Sequence, residues 1–88
     1  MEVVGYVVQS QNGDFLAEGL YWYGHKKPEE AWVHPKDILG KLVKFYHQWK
    51  NKPSRVYPAT YNSSKNKTTI TGKSFDFYSH CMVDGRTE

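Results

Sequence analysis

The dipeptide Asn12-Gly13 constrains the fold more than any other feature, because it stands between two runs rich in β-branched and aromatic residues. The first run is Val3 to Ser10, and the second begins at Asp14. Asn and Gly tolerate the positive φ angles of a two-residue type I′ turn, so this arrangement predicts a β-hairpin. The turn also predicts a register in which Val8 lies opposite Ala17.

This register divides the side chains of the hairpin between two apolar faces. One face carries Val4, Tyr6, Val8, Phe15, Ala17 and Tyr21, and the other carries Val3, Val7, Leu16, Leu20 and Trp22. A single helix can cover only one face of a small sheet. We therefore expect the second face to be exposed and to bind a protein, since exposed apolar patches with aromatic anchors mark such interfaces. Its candidate binding residues are Val7, Leu16, Leu20 and Trp22.

Residues 35–50 form the clearest helical pattern in the chain. Pro35 suits the first position of a helix, and Asp37 lies in the first turn, where the helix dipole favours a negative charge. The apolar residues at helical spacing are Ile38, Leu42, Phe45 and Trp49. They predict the face that packs on the sheet.

The remaining segments complete the predicted sheet. Residues 31–34 are either a short strand or one helical turn, and the following proline favours the strand. Residues 54–62 are predicted as a strand that Pro58 confines to a sheet edge or a bulge. Residues 68–71 then pair back on it after a polar turn.

Together these elements predict an α+β fold: β-hairpin, short strand, one helix and a second β-hairpin, with the helix packed on one face of a small antiparallel sheet. At 88 residues the chain has room for one domain. We expect this domain to span residues 1–78 and residues 79–88 to be a frayed tail.

The order of these elements resembles that of short phage- and prophage-encoded proteins. In those proteins, segments like Gly5–Val8, the Asn12-Gly13 turn and Phe15-Leu16 precede a tryptophan. A piece like Ala31–Val33, a helix and a strand like Val56–Pro58 follow. The resemblance covers about the first two-thirds of the chain. It implies a small accessory protein that acts by binding.

The middle of the chain is its basic part, since residues 25–55 carry eight Lys or Arg against three acidic residues. Aromatic residues are interleaved with these cations, and single-strand nucleic-acid binders use that combination for phosphate contact and base stacking. The alternative function is therefore binding of a nucleic acid or another anionic ligand. Its candidate residues are Lys26, Lys27, Lys41 and Lys44. Because lysines are ordinary on the solvated face of a helix, protein binding is the first interpretation.

Catalytic and metal-binding patterns are missing from the sequence. The four histidines have no paired ligand spacing, and Cys81 beside His80 cannot complete a zinc site. These two residues also make a poor nucleophile–base pair, because adjacent strand residues point to opposite sides. We therefore expect a non-enzymatic protein that uses no cofactor and no metal.

Nothing in the sequence has the features of a membrane or secreted protein. It contains no apolar run of about eighteen residues, and its start lacks the basic and apolar stretches of a signal peptide. A single cysteine cannot form an internal disulfide. We expect a cytoplasmic modulator or inhibitor that binds a protein partner or itself, as a dimer or another homo-oligomer, and no membrane.

Overall fold

The fold is a small antiparallel sheet with one main helix on one face, which confirms the predicted α+β class. The computed structural model describes residues 2–22 and 27–85. In these ranges the strands are β1 (Glu2–Ser10), β2 (Pro53–Asn62), β3 (Lys67–Ile70) and β4 (Phe75–Asp76). The main helix is α1 (Ile38–Lys44), and shorter helical turns span Pro28–Glu30, Tyr46–Gln48 and Tyr78–Val83.

Strand β2 lies at the centre of the sheet. β1 pairs with it from Glu2 opposite Asn62 to Ser10 opposite Pro53. β3 and β4 share its other side, where β3 pairs with residues 59–62 and β4 with residues 55–56. The strand predicted at residues 54–62 is therefore present as β2, but the prediction that Pro58 places it at a sheet edge is wrong.

Pro58 is tolerated in this central strand because it lies where the neighbour of β2 changes from β3 to β4. Opposite it on β1, Tyr6 exchanges both backbone hydrogen bonds with His34 instead of β2, at 2.9 and 2.8 Å. The proline nitrogen therefore faces the other side of β2. There it lies between the end of β3 and the start of β4, where no ladder bond needs a donor.

The chain turns at Asn12-Gly13, but the predicted two-residue turn and long second strand are wrong. The Gly13 N–H donates to the Ser10 carbonyl at 3.0 Å, and the Ser10 N–H donates to the Asp14 carbonyl at 2.7 Å. Gly13 has a φ of 89°. This is a three-residue loop with glycine in the left-handed position, which is a common hairpin connection.

The extra loop residue shifts the pairing by one position, and such a shift exchanges the faces of the side chains. The Leu16 N–H donates to the Val8 carbonyl at 2.9 Å, and the two side chains pack together on the face that α1 covers. Phe15 packs with Val7 on the other face. The prediction of a shared exposed face for Val7 and Leu16 is therefore wrong, because both are fully buried and lie on opposite faces of the sheet.

Helix α1 and the C-terminal helical turn close one face of the sheet. The core there consists of Val8, Leu16, Ile38, Leu39, Leu42, Tyr46, Val56, Phe77 and Cys81. Phe77 stacks on Tyr46 with ring centroids 5.7 Å apart. The prediction of a frayed tail is wrong for residues 79–83, which are helical and bury Cys81. Residues 86–88 lie outside the described part of the chain.

Helix α1 ends at Lys44, six residues before the predicted end at position 50. A tighter helical turn, Tyr46–Gln48, follows. The ammonium group of Lys52, which comes after this turn, donates to the carbonyls of Tyr46 and Trp49 at 3.0 Å each. This turn brings Tyr46 into the core and leaves Phe45 exposed. The prediction of Phe45 as a core residue is therefore wrong.

Residues 28–34, in which the helical turn Pro28–Glu30 is followed by extended backbone from Ala31, cover the opposite face of the sheet and are called here the covering segment. The Thr68 hydroxyl of β3 donates to the Ala31 carbonyl at 2.7 Å, and His34 forms a single bridge with Tyr6 of β1. Gly5 allows this close approach, because a Cβ at that position would lie 2.0 Å from the His34 carbonyl oxygen. The buried residues beneath and within the segment are Val7, Phe15, Ala31, Val33 and Ala59.

Candidate functional site

Among the apolar side chains that the described residues leave exposed, some lie at two grooves. One lies beside α1 and includes Leu20 and Phe45. The other lies beside the covering segment and includes Val3 and Trp32. Both surfaces contain side chains of the kind that anchor protein interfaces.

The surface beside α1 is an open groove of about 340 Å³ lined by Leu20, Phe45, Gln48 and Trp49, and is called here the Leu20 surface. Leu20 and Phe45 keep 37% and 40% of their area exposed. Trp49 contacts Trp22 with ring centroids 5.1 Å apart. The Trp22 indole N–H donates to the Asn51 carbonyl at 2.7 Å, which fixes the position of the tryptophan pair behind the groove.

The backbone at Leu20 adopts the left-handed conformation, with a φ of 61°. Hydrogen bonds from Leu20 N–H to Ala17 O and from Ala17 N–H to Tyr21 O, at 3.1 and 2.7 Å, hold this tight turn. A non-glycine residue in a sparsely populated conformation costs about 1–3 kcal/mol. The neighbouring Gly19, which would adopt this conformation at less cost, lies one position too early.

Of the four predicted protein-binding residues, the structure brings Leu20 and Trp22 together through Trp49. Val7 and Leu16 lie in the two cores and reach no surface. The sequence reasoning missed Phe45 and Trp49 as surface residues, because it continued the α-helix through both of them.

The predicted lysines have different surroundings. The Lys44 ammonium lies 5.5 Å from the centroid of the Phe45 ring, at the margin of the Leu20 surface. Lys41 pairs with Asp37 at 3.9 Å, and Lys27 pairs with Glu30 at 3.6 Å. These exposed ion pairs add little to stability, but each gives a lysine a carboxylate partner. Lys26 lies outside the described residues.

The second surface is a larger groove of about 540 Å³, called here the acidic groove. Its floor crosses three strands, since Val3 pairs with Tyr61 and Tyr61 pairs with Thr68. The covering segment forms its wall. The lining residues are Val3, Glu29, Glu30, Ala31, Trp32, Val33, Tyr61, Asn66 and Thr68.

The acidic groove was not predicted as a site, although the sequence carries a signal for it. Ala31 and Val33 are buried, whereas Trp32 between them keeps 41% of its area exposed. This alternation is that of an extended segment packed on a sheet, and it directs the large aromatic side chain outward. Val3, which was predicted on the exposed face, is exposed and lines this groove.

Among the described residues, His34 and Cys81 are buried titratable side chains, as is Tyr46 of the helix-covered core. Burial lowers the pKa of His34 below its ordinary value of 6.5, and a weaker opposing effect comes from its hydrogen bond to the Leu16 carbonyl. Because a carbonyl only accepts, the His34 Nε2 at 3.0 Å carries the proton. Burial also raises the pKa of the Cys81 thiol to about 11, so this thiol is protonated at neutral pH.

Within residues 2–22 and 27–85, no three His, Cys, Asp or Glu side chains are grouped so as to hold a metal ion. In the same ranges, none of the helices has the length and apolar character needed to cross a membrane. No protein-family model, curated protein or solved structure matches the chain.

Proposed function

We propose that the chain is a small non-enzymatic binding protein that docks through the Leu20 surface on a protein partner, as a modulator or inhibitor. The observation that carries this proposal is the left-handed φ of Leu20 combined with its exposure. Glycine or asparagine would serve folding better at this position. A strained backbone that presents an apolar side chain to solvent supports a binding role.

The tryptophan pair gives the Leu20 surface a rigid base. Trp22 and Trp49 contact each other, and the hydrogen bond from Trp22 to Asn51 fixes their orientation. Residues that dominate binding energy are enriched in tryptophan and lie in well-packed patches surrounded by polar groups. Gln48 and Lys44 provide such polar groups at the margin. The partner surface that fits is an apolar projection or pocket bordered by acidic residues.

The partner in this proposal is either a larger protein or a second copy of the chain. The resemblance to phage- and prophage-encoded proteins supports an accessory role with a larger protein, in the cytoplasm of the host cell.

Nucleic-acid binding remains the second candidate, and one observation favours it. Phe45 is exposed next to Lys44, and an aromatic ring beside a cation can stack on a base while the cation contacts phosphate. The ion pairs of Lys27 and Lys41 weigh against it, since a phosphate would compete with a carboxylate already in place.

The test begins with affinity capture of the tagged protein from its host, with and without nuclease, followed by titration of the captured partner. Leu20→Gly relieves the backbone strain and removes the exposed side chain, so it separates binding from folding. We expect it to fold as well as wild type and to bind roughly 30-fold more weakly, as is typical for losing an anchor. Val83→Ala, at an exposed apolar residue elsewhere, is the matched control and should bind normally.

Light scattering after size exclusion identifies the partner as a second copy if wild type forms a dimer and Leu20→Gly is monomeric. Nucleic-acid binding predicts a different pattern. Capture is then lost after nuclease treatment, and affinity falls with salt at a slope of about −0.7 per phosphate contacted. Loss of binding in Lys41→Ala/Lys44→Ala, together with normal binding of Leu20→Gly, would reject the proposed protein interface.

A further inference from the structure

We propose that the acidic groove is a second binding site, separate from the Leu20 surface, and that it takes an extended protein segment carrying lysine or arginine. The proposal combines three features of the described residues: the charge of the groove, its apolar floor beside an exposed tryptophan, and an open edge of β1.

The first feature is an excess of negative charge. Among the described residues that line the groove, the charged ones are Glu29 and Glu30. Glu30 pairs with Lys27 in an exposed contact, and within the described ranges Glu29 makes no ion pair. The chain as a whole has a net charge of +3, so this groove has the opposite sign to the rest of the protein. A cationic ligand is therefore attracted to the groove in preference to the remaining surface.

The second feature is an apolar surface of the right shape for a long cationic side chain. Val3 and Tyr61 are paired neighbours on the floor, and Val3 keeps 44% of its area exposed. Lysine and arginine bury their aliphatic stems on such surfaces while their charged ends stay hydrated. The exposed Trp32 offers an aromatic ring for the charged end, beside the two carboxylates.

The third feature is the unpaired edge of β1 next to the floor. Tyr6 directs its backbone N–H and carbonyl toward His34, away from β2. Because the pairs of an antiparallel ladder alternate, Val4 directs its own N–H and carbonyl the same way. Within the described ranges these two groups have no backbone partner, and the residues from Glu2 to Val4 are exposed.

An added strand at this edge connects the three features. Extended peptides bind open sheet edges through main-chain hydrogen bonds, and neighbouring pockets select their side chains. A strand that pairs with Val4 places alternate side chains on the same face as Val3. A lysine or arginine at such a position lies over Val3 at the β1 end of the groove floor, and Glu29 and Glu30 attract it from the β3 end.

The experiment uses a fluorescein-labelled heptapeptide of alternating valine and lysine, and a matched peptide with glutamate in place of lysine. The whole chain is titrated into each labelled peptide, and the fluorescence anisotropy of the peptide gives the affinity. We expect the lysine peptide to bind and the glutamate peptide not to bind. Binding of the lysine peptide should also shift the amide NMR signals of residues 2–4.

The isosteric variant Glu29→Gln/Glu30→Gln tests the groove without disturbing the fold. It should weaken binding of the lysine peptide by about fivefold or more, as expected for losing two exposed charge contacts. Asp84→Asn removes an exposed carboxylate elsewhere and should leave the affinity unchanged. Leu20→Gly should also bind the peptide normally, so this result does not depend on the proposed function of the Leu20 surface.

Three outcomes would overturn the proposal. The first is equal binding, or no binding, of the two peptides. The second is an equal effect of Glu29→Gln/Glu30→Gln and Asp84→Asn, which would reduce the attraction to general charge. The third is self-association that Glu29→Gln/Glu30→Gln abolishes while the lysine peptide fails to bind, which would assign the groove to a second copy of the chain.

Discussion

The two faces of the sheet are covered by different kinds of structure. On one face, α1 and the C-terminal helical turn bury a continuous core that includes Leu42 and Phe77. On the other face, the covering segment buries Ala31 and Val33 but leaves Trp32 and part of Val3 in solvent.

The difference follows from the geometry of the two covers. A helix can turn a whole stripe of side chains toward a sheet, whereas an extended segment directs every second side chain away from it. The covering segment therefore contributes less to the core and leaves side chains available for recognition. The acidic groove lies along this thinner cover. If the two faces also differ in stability, substitutions on the helix-covered face should lower the free energy of unfolding more than substitutions beneath the covering segment.

The largest effect is expected at Phe77, which is fully buried on the helix-covered face and stacks on Tyr46. Phe77→Ala should lower the free energy of unfolding by about 3–5 kcal/mol, measured by urea denaturation. Phe45→Ala is the matched control, because the same side chain is exposed there, and it should change stability by less than about 1 kcal/mol.

Phe77→Leu keeps most of the core volume and should cost less than about 1.5 kcal/mol, so it gives a measurement if the alanine variant is unfolded. Equal costs for the alanine variants at Phe77 and Phe45 would show that the C-terminal turn is not part of the core.

The next effect is expected at Gly5, on the face beneath the covering segment. In Gly5→Ala the new methyl group would lie 2.0 Å from the His34 carbonyl oxygen, so the segment has to move and lose its bridge to Tyr6. Overpacking of this kind costs about 1–3 kcal/mol. Gly40→Ala is the matched control, since nothing lies within 4 Å of a Cβ there and Gly40 is in α1.

Gly40→Ala should raise stability by about 0.5–1 kcal/mol, because alanine favours helix. Opposite signs for the two glycine substitutions in thermal unfolding would support the close approach of the covering segment. A neutral Gly5→Ala would show that the segment lies farther from the sheet.

Much of the fold could be predicted from local patterns in the sequence. The strand runs, the turn at Gly13 and the start of the apolar helix stripe at Ile38 all report local preferences. The register of the first hairpin could not be predicted, since a three-residue loop and a two-residue turn use the same Asn-Gly pair. The position of β1 beside β2 depends on pairing between distant segments, which local patterns do not encode.

The candidate site was predicted less well for the same reason. Leu20 and Trp22 are joined through Trp49, but the register that selected them also selected the buried Leu16. A one-residue shift exchanges the buried and exposed faces, so an error in one turn changed the predicted interface. The acidic groove depends on how the covering segment crosses three strands, and no short motif specifies that crossing.

A smaller effect concerns pH and the buried His34, which joins the covering segment to Leu16. Its pKa in the fold is lower than 6.5, so the unfolded chain takes up the proton first. Its contribution to stability is complete above pH 6.5 and is lost as the pH falls from there through the lower pKa of the folded state. One proton limits the slope to about 1.4 kcal/mol per pH unit.

The comparison of wild type with His34→Gln, by urea denaturation at several pH values, isolates this residue from the other histidines. Glutamine keeps a donor for the Leu16 carbonyl and does not titrate. We expect the variant to lose less stability than wild type between neutral and mildly acidic pH. Parallel curves would show that His34 is accessible to solvent and that the covering segment opens easily.

The smallest effect is expected at Thr68, whose hydroxyl holds the covering segment through the carbonyl of Ala31 at 2.7 Å. Thr68→Val keeps the shape and removes the donor, which should cost about 0.5–1.5 kcal/mol, the net contribution of one hydrogen bond between neutral groups. Thr68→Ser keeps the hydroxyl and serves as the control. Amide hydrogen exchange at residues 31–33 should accelerate in the valine variant only, while exchange in α1 stays unchanged, because the hydrogen bond acts on one face of the sheet. Faster exchange in both regions would mean that the two covers open together as one unit, and the contrast between the faces would then be one of shape and not of stability.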